Sequence, residues 1–293
     1  MNQANAFLMA GLLALATTEP ALAEGRWRLS SGVDFSNGKY GAATATQIVS
    51  APLRAAWTTD DIEISAAVSF VSVSGTGDVI PGDAGPIITL RCARLRERRP
   101  DLFERFCRDR LAPPAEPEKV TSAGLGDVVV GFAWTLPEAV SGDWLIDLGA
   151  RAKLPTASKA QGLGTGKTDV TLSLDIAHGF GALTPFAGLG YRFFGDPSFD
   201  GAGGAAVTID LENGLSGAAG FAYALSPDTS VTLAYDYFAR TVASSSAAQE
   251  VTLAFSGPIS GNWRWAAYGV AGLTRASPDV AVGLTLSYGF SLN

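Results

Sequence analysis

Alternation of apolar and polar side chains is the feature that most restricts the fold of this chain. After residue 24, helical periodicity is almost absent, and segments of about ten residues alternate with a period of two between Gly, Pro, Asn and Asp. Successive side chains of a β-strand point to opposite faces, so each segment has one apolar and one polar face. The sequence therefore predicts an all-β chain with about twelve strands, at residues 26–35, 43–57, 62–74, 125–136, 144–154, 168–177, 183–194, 214–225, 230–240, 249–255, 263–273 and 280–290.

The charged residues of these segments all fall on the polar face. A charge that faces lipid near the middle of a bilayer costs about 2–4 kcal/mol for Arg or Lys, so a membrane β-barrel keeps its charges inside. A soluble β-sandwich also alternates, with its apolar faces turned to a closed core, so alternation alone does not separate the two folds. The charges concerned are Asp34, Arg54, Glu63, Asp127, Asp147, Arg151, Lys153, Asp175, Arg192, Asp236, Arg240, Glu250 and Arg264.

The connections and the aromatic residues favour the membrane barrel. One set of connections is short throughout, whereas the other includes the stretches 75–123, 155–167 and 195–213. Short periplasmic turns, long extracellular loops and aromatic girdles are typical of up-and-down, antiparallel barrels of the bacterial outer membrane. Ten or fourteen strands remain open, because Val207, Ile209 and Leu211 could extend a strand. All six tryptophans lie at strand ends on the side of the short connections, which is the predicted periplasmic side: Trp27, Trp57, Trp134, Trp144, Trp263 and Trp265.

Composition and the first residues indicate export. Charged residues make up 17% of the chain, below the quarter or so that is usual in soluble domains, and the net charge of −7 argues against nucleic acid as a partner. Residues 6–16 form an apolar run, and Ala21-Leu22-Ala23 fits a signal-peptidase site. We expect a signal peptide at residues 1–23 and a mature barrel at residues 24–293; the alternative is a buried apolar helix of a cytosolic protein.

The long connection 75–123 carries an unusual basic segment. Residues 91–110 contain eight arginines and the only two cysteines, Cys92 and Cys107. In an oxidising compartment this pair is expected to form a disulfide, which would contribute roughly 3 kcal/mol in the chain-entropy model. The arginines could bind lipopolysaccharide phosphates, fold into the mouth and attract anions, or remain a solvated cap.

Catalytic and metal-binding patterns are not visible in the sequence. His178 is the only histidine and lies in an expected turn, so neither a nucleophile–base pair nor a zinc site of ordinary ligand count can be assembled. Asp127 and Asp147 could approach each other across adjacent strands as a carboxylate pair. The simpler interpretation is a lumen lined by charges that set selectivity, or filled by them as a plug. The candidate lumen-lining residues are Arg54, Asp127, Asp147, Arg151, Lys153, Asp175, Arg192, Asp236, Arg240 and Arg264.

Four segments of the middle third share a recognisable pattern: Gly124-Leu125-Gly126-Asp127, Ala152-Lys153-Leu154-Pro155-Thr156, the stretch from Leu163 to Val170, and the stretch from Gly188 to Phe193. They resemble a known family of outer-membrane, transporter-like proteins named for the meta-pathway of phenol degradation. The resemblance implies a barrel that passes hydrophobic or aromatic compounds, and it supplies no catalytic residues. The chain departs from the family at Ala157, in its arginine-rich loop, and at its last residues, Phe290 to Asn293.

These observations predict a protein that is not an enzyme, has no cofactor, and allows small aromatic or anionic solutes to diffuse across the outer membrane. Expected partners are outer-membrane lipid, lipopolysaccharide, the solute and the barrel-assembly machinery. Three alternatives remain: a structural or surface-interaction barrel with a plugged lumen, an outer-membrane hydrolase acting on lipid, and a soluble periplasmic β-protein.

Overall fold

Seventeen strands and one short helix make up the part of the chain that the structure describes. The structure is a computed structural model that describes residues 25–42, 44–76, 79–80, 87–88, 119–200, 206–243 and 245–291. The elements are β1 (Arg26–Gly38), β2 (Thr46–Thr58), β3 (Ile62–Gly75), β4 (Val79–Ile80), β5 (Ile87–Ile88), β6 (Val120–Leu125), β7 (Val128–Thr135), α1 (Glu138–Ser141), β8 (Trp144–Leu154), β9 (Asp169–His178), β10 (Leu183–Phe193), β11 (Ser198–Asp200), β12 (Ala206–Thr208), β13 (Gly214–Ser226), β14 (Thr229–Phe238), β15 (Ala248–Ser260), β16 (Trp263–Gly272) and β17 (Val280–Ser291).

Twelve of these strands form a closed, antiparallel, up-and-down barrel. Each barrel strand pairs with its neighbours along the chain, and β1 pairs with both β2 and β17, which closes the sheet. The fourth barrel strand is interrupted: β7 pairs with the first half of β3, and β6 forms a short extra strand on the second half. At the interruption, the amide of Gly126 donates to the carbonyl oxygen of Ser69 at 2.7 Å. The predicted fold class is confirmed.

The apolar face of each barrel strand is on the outside. Leu284 and Leu53 are 51% and 56% exposed, whereas Thr252 and Ala281, on the opposite face of their strands, are both 0% exposed. A sandwich would show the reverse, because its apolar faces would be pressed together. The exposed apolar residues instead form the belt that lipid tails cover in a membrane barrel. The soluble β-protein alternative is therefore wrong.

The two ends of the barrel differ in their connections. At the short-turn end, β2 and β3, β9 and β10, β13 and β14, and β15 and β16 are joined by two to four residues, and only the connection with α1 is longer. At the long-loop end lie the connections 76–119, 155–168 and 194–213. The tryptophans gather at the short-turn end, where Trp27 pairs with Trp57 and the Trp263 ring lies 5.1 Å from that of Tyr288. This matches an aromatic girdle at one membrane interface.

Some sequence expectations fall outside the described residues. Residues 1–24 and 89–118 contain the predicted signal peptide, the arginine-rich segment and both cysteines, so the disulfide between Cys92 and Cys107 stays a prediction. Among the described residues, no helix has the length and apolar character needed to cross a membrane.

Candidate functional site

Inward-facing side chains lie in rows that cross the barrel wall. We define a row as the inward positions that are paired in register from one strand to the next. Because the strands are tilted relative to the barrel axis, each row follows a helical path around the inner wall. Residues that are far apart in the sequence are thereby aligned on one path.

Four carboxylates share one row, which we call the acidic row. Asp147 on β8 pairs with Asp175 on β9, and Asp236 on β14 pairs with Glu250 on β15. Gly188 on β10 and Ala218 on β13 lie between the two pairs in the same row. Because their side chains are small or absent, no bulky group of this row separates the two pairs. Asp236 and Glu250 lie on the inward phase of their strands and are 2% and 1% exposed, so neighbouring side chains inside the barrel cover them.

Two carboxylates of the acidic row are fixed by hydroxyl groups. The hydroxyl of Thr135 donates to Oδ1 of Asp147 at 2.6 Å, and that of Thr252 donates to Oδ2 of Asp236 at 2.8 Å. Hydrogen bonds of this kind offset part of the cost of removing a carboxylate from bulk water.

Two further rows carry the cations. The first basic row contains three arginines on β1, β8 and β10, with only small residues or threonine between them: Arg28, Ala56, Ser65, Gly131, Arg151, Thr171 and Arg192. The second basic row lies one inward position nearer the long-loop end on β8: Arg264, Ser287, Ser30, Arg54, Ala67, Val129 and Lys153. Arg54 also forms an ion pair with Glu63 on β3.

A row of small residues separates the acidic row from the first basic row on β8, β9, β10 and β13. It consists of Gly149, Ser173, Gly190 and Ser216. A Cβ at Gly149 would overlap the hydroxyl of Ser173, and a Cβ at Gly190 would overlap that of Ser216. Each serine hydroxyl therefore lies over the neighbouring glycine, and we call this strip the Gly/Ser strip.

Lys153 is the centre of a buried ion cluster at the long-loop end. Its Nζ lies 2.7 Å from Oδ2 of Asp169, 3.3 Å from Oδ2 of Asp127 and 2.9 Å from Oγ1 of Thr165. The Lys153 side chain is 2% exposed. The carboxylates also accept backbone hydrogen bonds, Asp127 from Ala157 and Asp169 from Gly195. We call Lys153, Asp127, Asp169 and Thr165 the Lys153 cluster.

The Lys153 cluster fixes the connection 155–168 against the barrel mouth. Thr165 and Leu163 of this connection are 1% and 2% exposed, and Leu163 packs with Val71, Val73 and Ala157. Three of the four segments that resemble the phenol-degradation family meet here, since they contribute Asp127, Lys153 and the stretch from Leu163 to Asp169. Their spacing in the sequence thus reflects one tertiary cluster.

Other connections at the long-loop end add apolar contacts. Ile80, Ile209, Leu211 and Val242 form a buried cluster that joins three connections. In the turn after β1, Tyr40 is 1% exposed and its hydroxyl donates to Ser36 Oγ at 2.8 Å. Burial raises the pKa of Tyr40 to about 12, so this phenol is neutral at physiological pH.

Tyr268 crosses one strand to reach a carboxylate. From β16 it lies over Gly283 of β17, and its hydroxyl donates to Oδ1 of Asp34 on β1, whose Oδ2 accepts from Ser50 at 3.3 Å. A Cβ at Gly283 would overlap the phenol oxygen of Tyr268. The absence of a side chain at Gly283 therefore permits this contact.

We predict that Gly283→Ala destabilises the barrel by about 1–3 kcal/mol, because the added methyl group displaces Tyr268 from Asp34. The matched control is Gly269→Ala on β16, where a Cβ meets nothing within 4 Å. That substitution should be neutral or stabilise by about 0.5–1 kcal/mol, since alanine loses less backbone entropy on folding. Urea unfolding in lipid vesicles measures both; equal midpoints would contradict the prediction.

The structure brings most of the candidate lumen residues into the rows. Asp147, Asp175 and Asp236 lie in the acidic row, and Arg151, Arg192, Arg54, Arg264 and Lys153 lie in the basic rows. Asp127 belongs to the Lys153 cluster, so it does not approach Asp147, which pairs with Thr135 at the short-turn end. Arg240 follows the end of β14; it is 54% exposed and pairs with Glu212 of another connection at 2.7 Å.

Among the interior residues that were not lumen-lining candidates are Arg28, Glu250 and Thr165. Arg28 and Glu250 lie near strand ends on the polar face, and the alternation of polar and apolar residues could have identified both. Thr165 lies in a connection, and no strand pattern could have indicated it. His178 ends β9 and lies between the rings of Trp144 and Phe180, at 4.8 and 4.5 Å, among the aromatic residues of the short-turn end.

Comparison with known proteins adds a likeness of fold. No protein-family model matches the chain, and no curated protein matches it. Its structure is similar to the crystal structure of an outer membrane channel from Pseudomonas putida F1, with a TM-score of 0.63 and 11% identity over 94% of this chain and 98% of that chain. It is also similar to the NanC porin, with a TM-score of 0.52 and 7% identity over 89% and 98%.

The closed barrel, its apolar belt and these similarities define the class of the protein. It is a twelve-stranded β-barrel of the bacterial outer membrane. Its long connections and short turns then lie on the extracellular and periplasmic sides, as in other barrels of this membrane.

Proposed function

We propose that this protein is a passive channel through which small solutes cross the outer membrane. The observation that carries the proposal is the alignment of ionised side chains in rows on the inside of a closed barrel. Charge that is turned inward is costly unless the groups meet water, a counter-charge or a solute. A lumen containing water and solute supplies these partners to the partly buried Asp147, Arg151 and Asp175, whereas Asp236, Glu250 and Arg192 are covered by neighbouring side chains.

The size of the barrel limits the solute. Barrel diameter grows with strand number, and twelve strands leave a narrower interior than the 16–18 strands of large porins. Charged side chains that line such an interior decide which solutes enter and leave. We therefore propose small solutes, with anionic and aromatic compounds among them. Membership of the family named for the meta-pathway of phenol degradation is part of the same proposal.

Conductance in planar lipid bilayers tests the proposal. We expect discrete, ohmic steps, and we expect the double variant Arg54→Gln/Arg264→Gln to shift the reversal potential in a KCl gradient towards cation selectivity, because it removes two cations of the second basic row. The control is Arg240→Gln, which removes an exposed cation outside the strands and should leave the reversal potential unchanged. A correctly folded barrel without conductance would contradict the proposal.

A second candidate is a structural or surface-interaction barrel that does not conduct. It is favoured by the connections that pack at the long-loop end, namely the Lys153 cluster and the apolar cluster around Val242. On this alternative the wild-type protein is silent in bilayers, and releasing the connection 155–168 does not open it.

We also propose how the protein reaches and contacts the membrane. Residues 1–23 serve as a signal peptide, the barrel-assembly machinery inserts the mature chain, and the arginines of residues 91–110, closed by a Cys92–Cys107 disulfide, bind phosphates of lipopolysaccharide. Outer-membrane barrels of this kind contact lipids and small solutes. Neither catalysis nor a cofactor is part of the proposal.

A further inference from the structure

We propose that the lumen prefers solutes with a positive and a negative end, the zwitterions of the amino acid class. This inference rests on the channel function and names its substrate class. The observation behind it is that the acidic row and the first basic row cross the same three strands, β8, β9 and β10, with the Gly/Ser strip between them.

The two rows face each other across a strip without bulky side chains. On β8 the inward positions are Asp147, Gly149 and Arg151 in succession, and on β9 they are Asp175, Ser173 and Thr171. On β10, Gly188 and Gly190 precede Arg192. On β8 and β9, where these side chains are only partly buried, a solute would have the carboxylates of Asp147 and Asp175 at one end, the guanidinium of Arg151 at the other and the hydroxyl of Ser173 between them. Arg192 is 2% exposed and lies against the rings of Phe194 and Phe238, so it contributes to the field of the row without contacting the solute.

The separation of the rows suits a small molecule. The rows are four residues apart on β8, which is about 13 Å between Cα atoms at the rise of a β-strand. The arginine side chain spans part of this distance. A short zwitterion can therefore contact both rows, which a solute with one charged end cannot.

The energetics favour a solute that carries both charges. A zwitterion aligned across the recess is attracted at both ends, whereas a simple ion is attracted by one row and repelled by the other. An apolar solute would remove water from both rows and replace none of its hydrogen bonds. The same field therefore favours zwitterions over the anionic and aromatic solutes that the channel also admits.

The test is swelling of proteoliposomes in two solutes of similar size, γ-aminobutyrate as the zwitterion and erythritol as the neutral solute. We expect γ-aminobutyrate to enter at least about threefold faster, a preference of about 0.7 kcal/mol. The double variants Asp147→Asn/Asp175→Asn and Arg151→Gln/Arg192→Gln should each lower the ratio of the two rates to about one. Arg240→Gln is the control and should keep the wild-type ratio.

Each outcome decides a different claim. A wild-type ratio near one, or a ratio that neither double variant changes, overturns the inference while erythritol entry still supports a channel. Absence of swelling in both solutes, together with absence of conductance, overturns the channel itself. Heat-modifiable migration on gels verifies folding, and the single variants Asp175→Asn and Arg151→Gln replace a double variant that does not fold.

Discussion

Replacing Lys153 by methionine is expected to lower the free energy of unfolding by about 3–5 kcal/mol, because it leaves two buried carboxylates without their cation. Nζ of Lys153 lies within 3.3 Å of both Asp127 and Asp169, whose side chains are 8% and 11% exposed. Two like charges at this depth repel each other and are poorly hydrated. Thr165 of the connection 155–168 would also lose the hydrogen bond that it accepts from Nζ of Lys153.

Urea unfolding of Lys153→Met in lipid vesicles measures this loss. The matched control is Arg240→Gln, which breaks an ion pair between two groups that are 54% and 35% exposed and should cost about 0–1 kcal/mol. Adding Asp127→Asn and Asp169→Asn to Lys153→Met should recover part of the stability, since no uncompensated charge remains. Equal losses for Lys153→Met and Arg240→Gln would show that the Lys153 cluster is not stabilising.

Placing an arginine on the apolar belt is expected to destabilise the barrel by about 2–4 kcal/mol, because the charge then faces lipid near the middle of the membrane. Leu284 suits this test, since it is 51% exposed and lies midway along β17. Its neighbour Thr285 faces inward between Gly32 and Ala266. Thr285→Arg is the matched control and should cost much less.

The comparison of Leu284→Arg with Thr285→Arg depends only on which face of β17 receives the charge. The readouts are the urea midpoint and the fraction of chains that insert into vesicles. If both variants insert equally and unfold at the same midpoint, the outer face of β17 is not in contact with lipid.

The sequence was sufficient to predict the strands and their faces. The strand Trp144–Leu154 was predicted with the bounds that it has, and most others agree within three residues. The reason is physical: a wall between lipid and a polar interior imposes a strict period of two on every strand. Deviations occur near strand ends, as in β6, which pairs with the second half of β3 within the predicted long connection, and in β15, which continues past Pro258 to Ser260.

The rows could not be predicted, because they depend on register. Alternation shows that Asp175 and Asp236 both face inward, but it does not show that Gly188 and Ala218 place them on one path. Register is determined by pairing between strands and by strand tilt, which one sequence does not reveal. Arg240 illustrates the same limit: it continues the alternation of β14 but lies beyond Phe238, where the strand ends.

The seam between β1 and β17 constrains how this molecule can be assembled. Arg26 pairs with Ser291, and the pairing continues to Asn37 and Val280. All other strand pairs of the barrel join strands that are neighbours in the sequence, apart from the interruption in the fourth strand. The β1–β17 pair joins the first strand to the last, so it forms only after β17 has been synthesised. Until then both margins of the sheet expose amides and carbonyls that hydrocarbon cannot solvate. Insertion must therefore be coupled to completion of the cylinder, and a chain that lacks β17 would remain open however well its preceding strands pair.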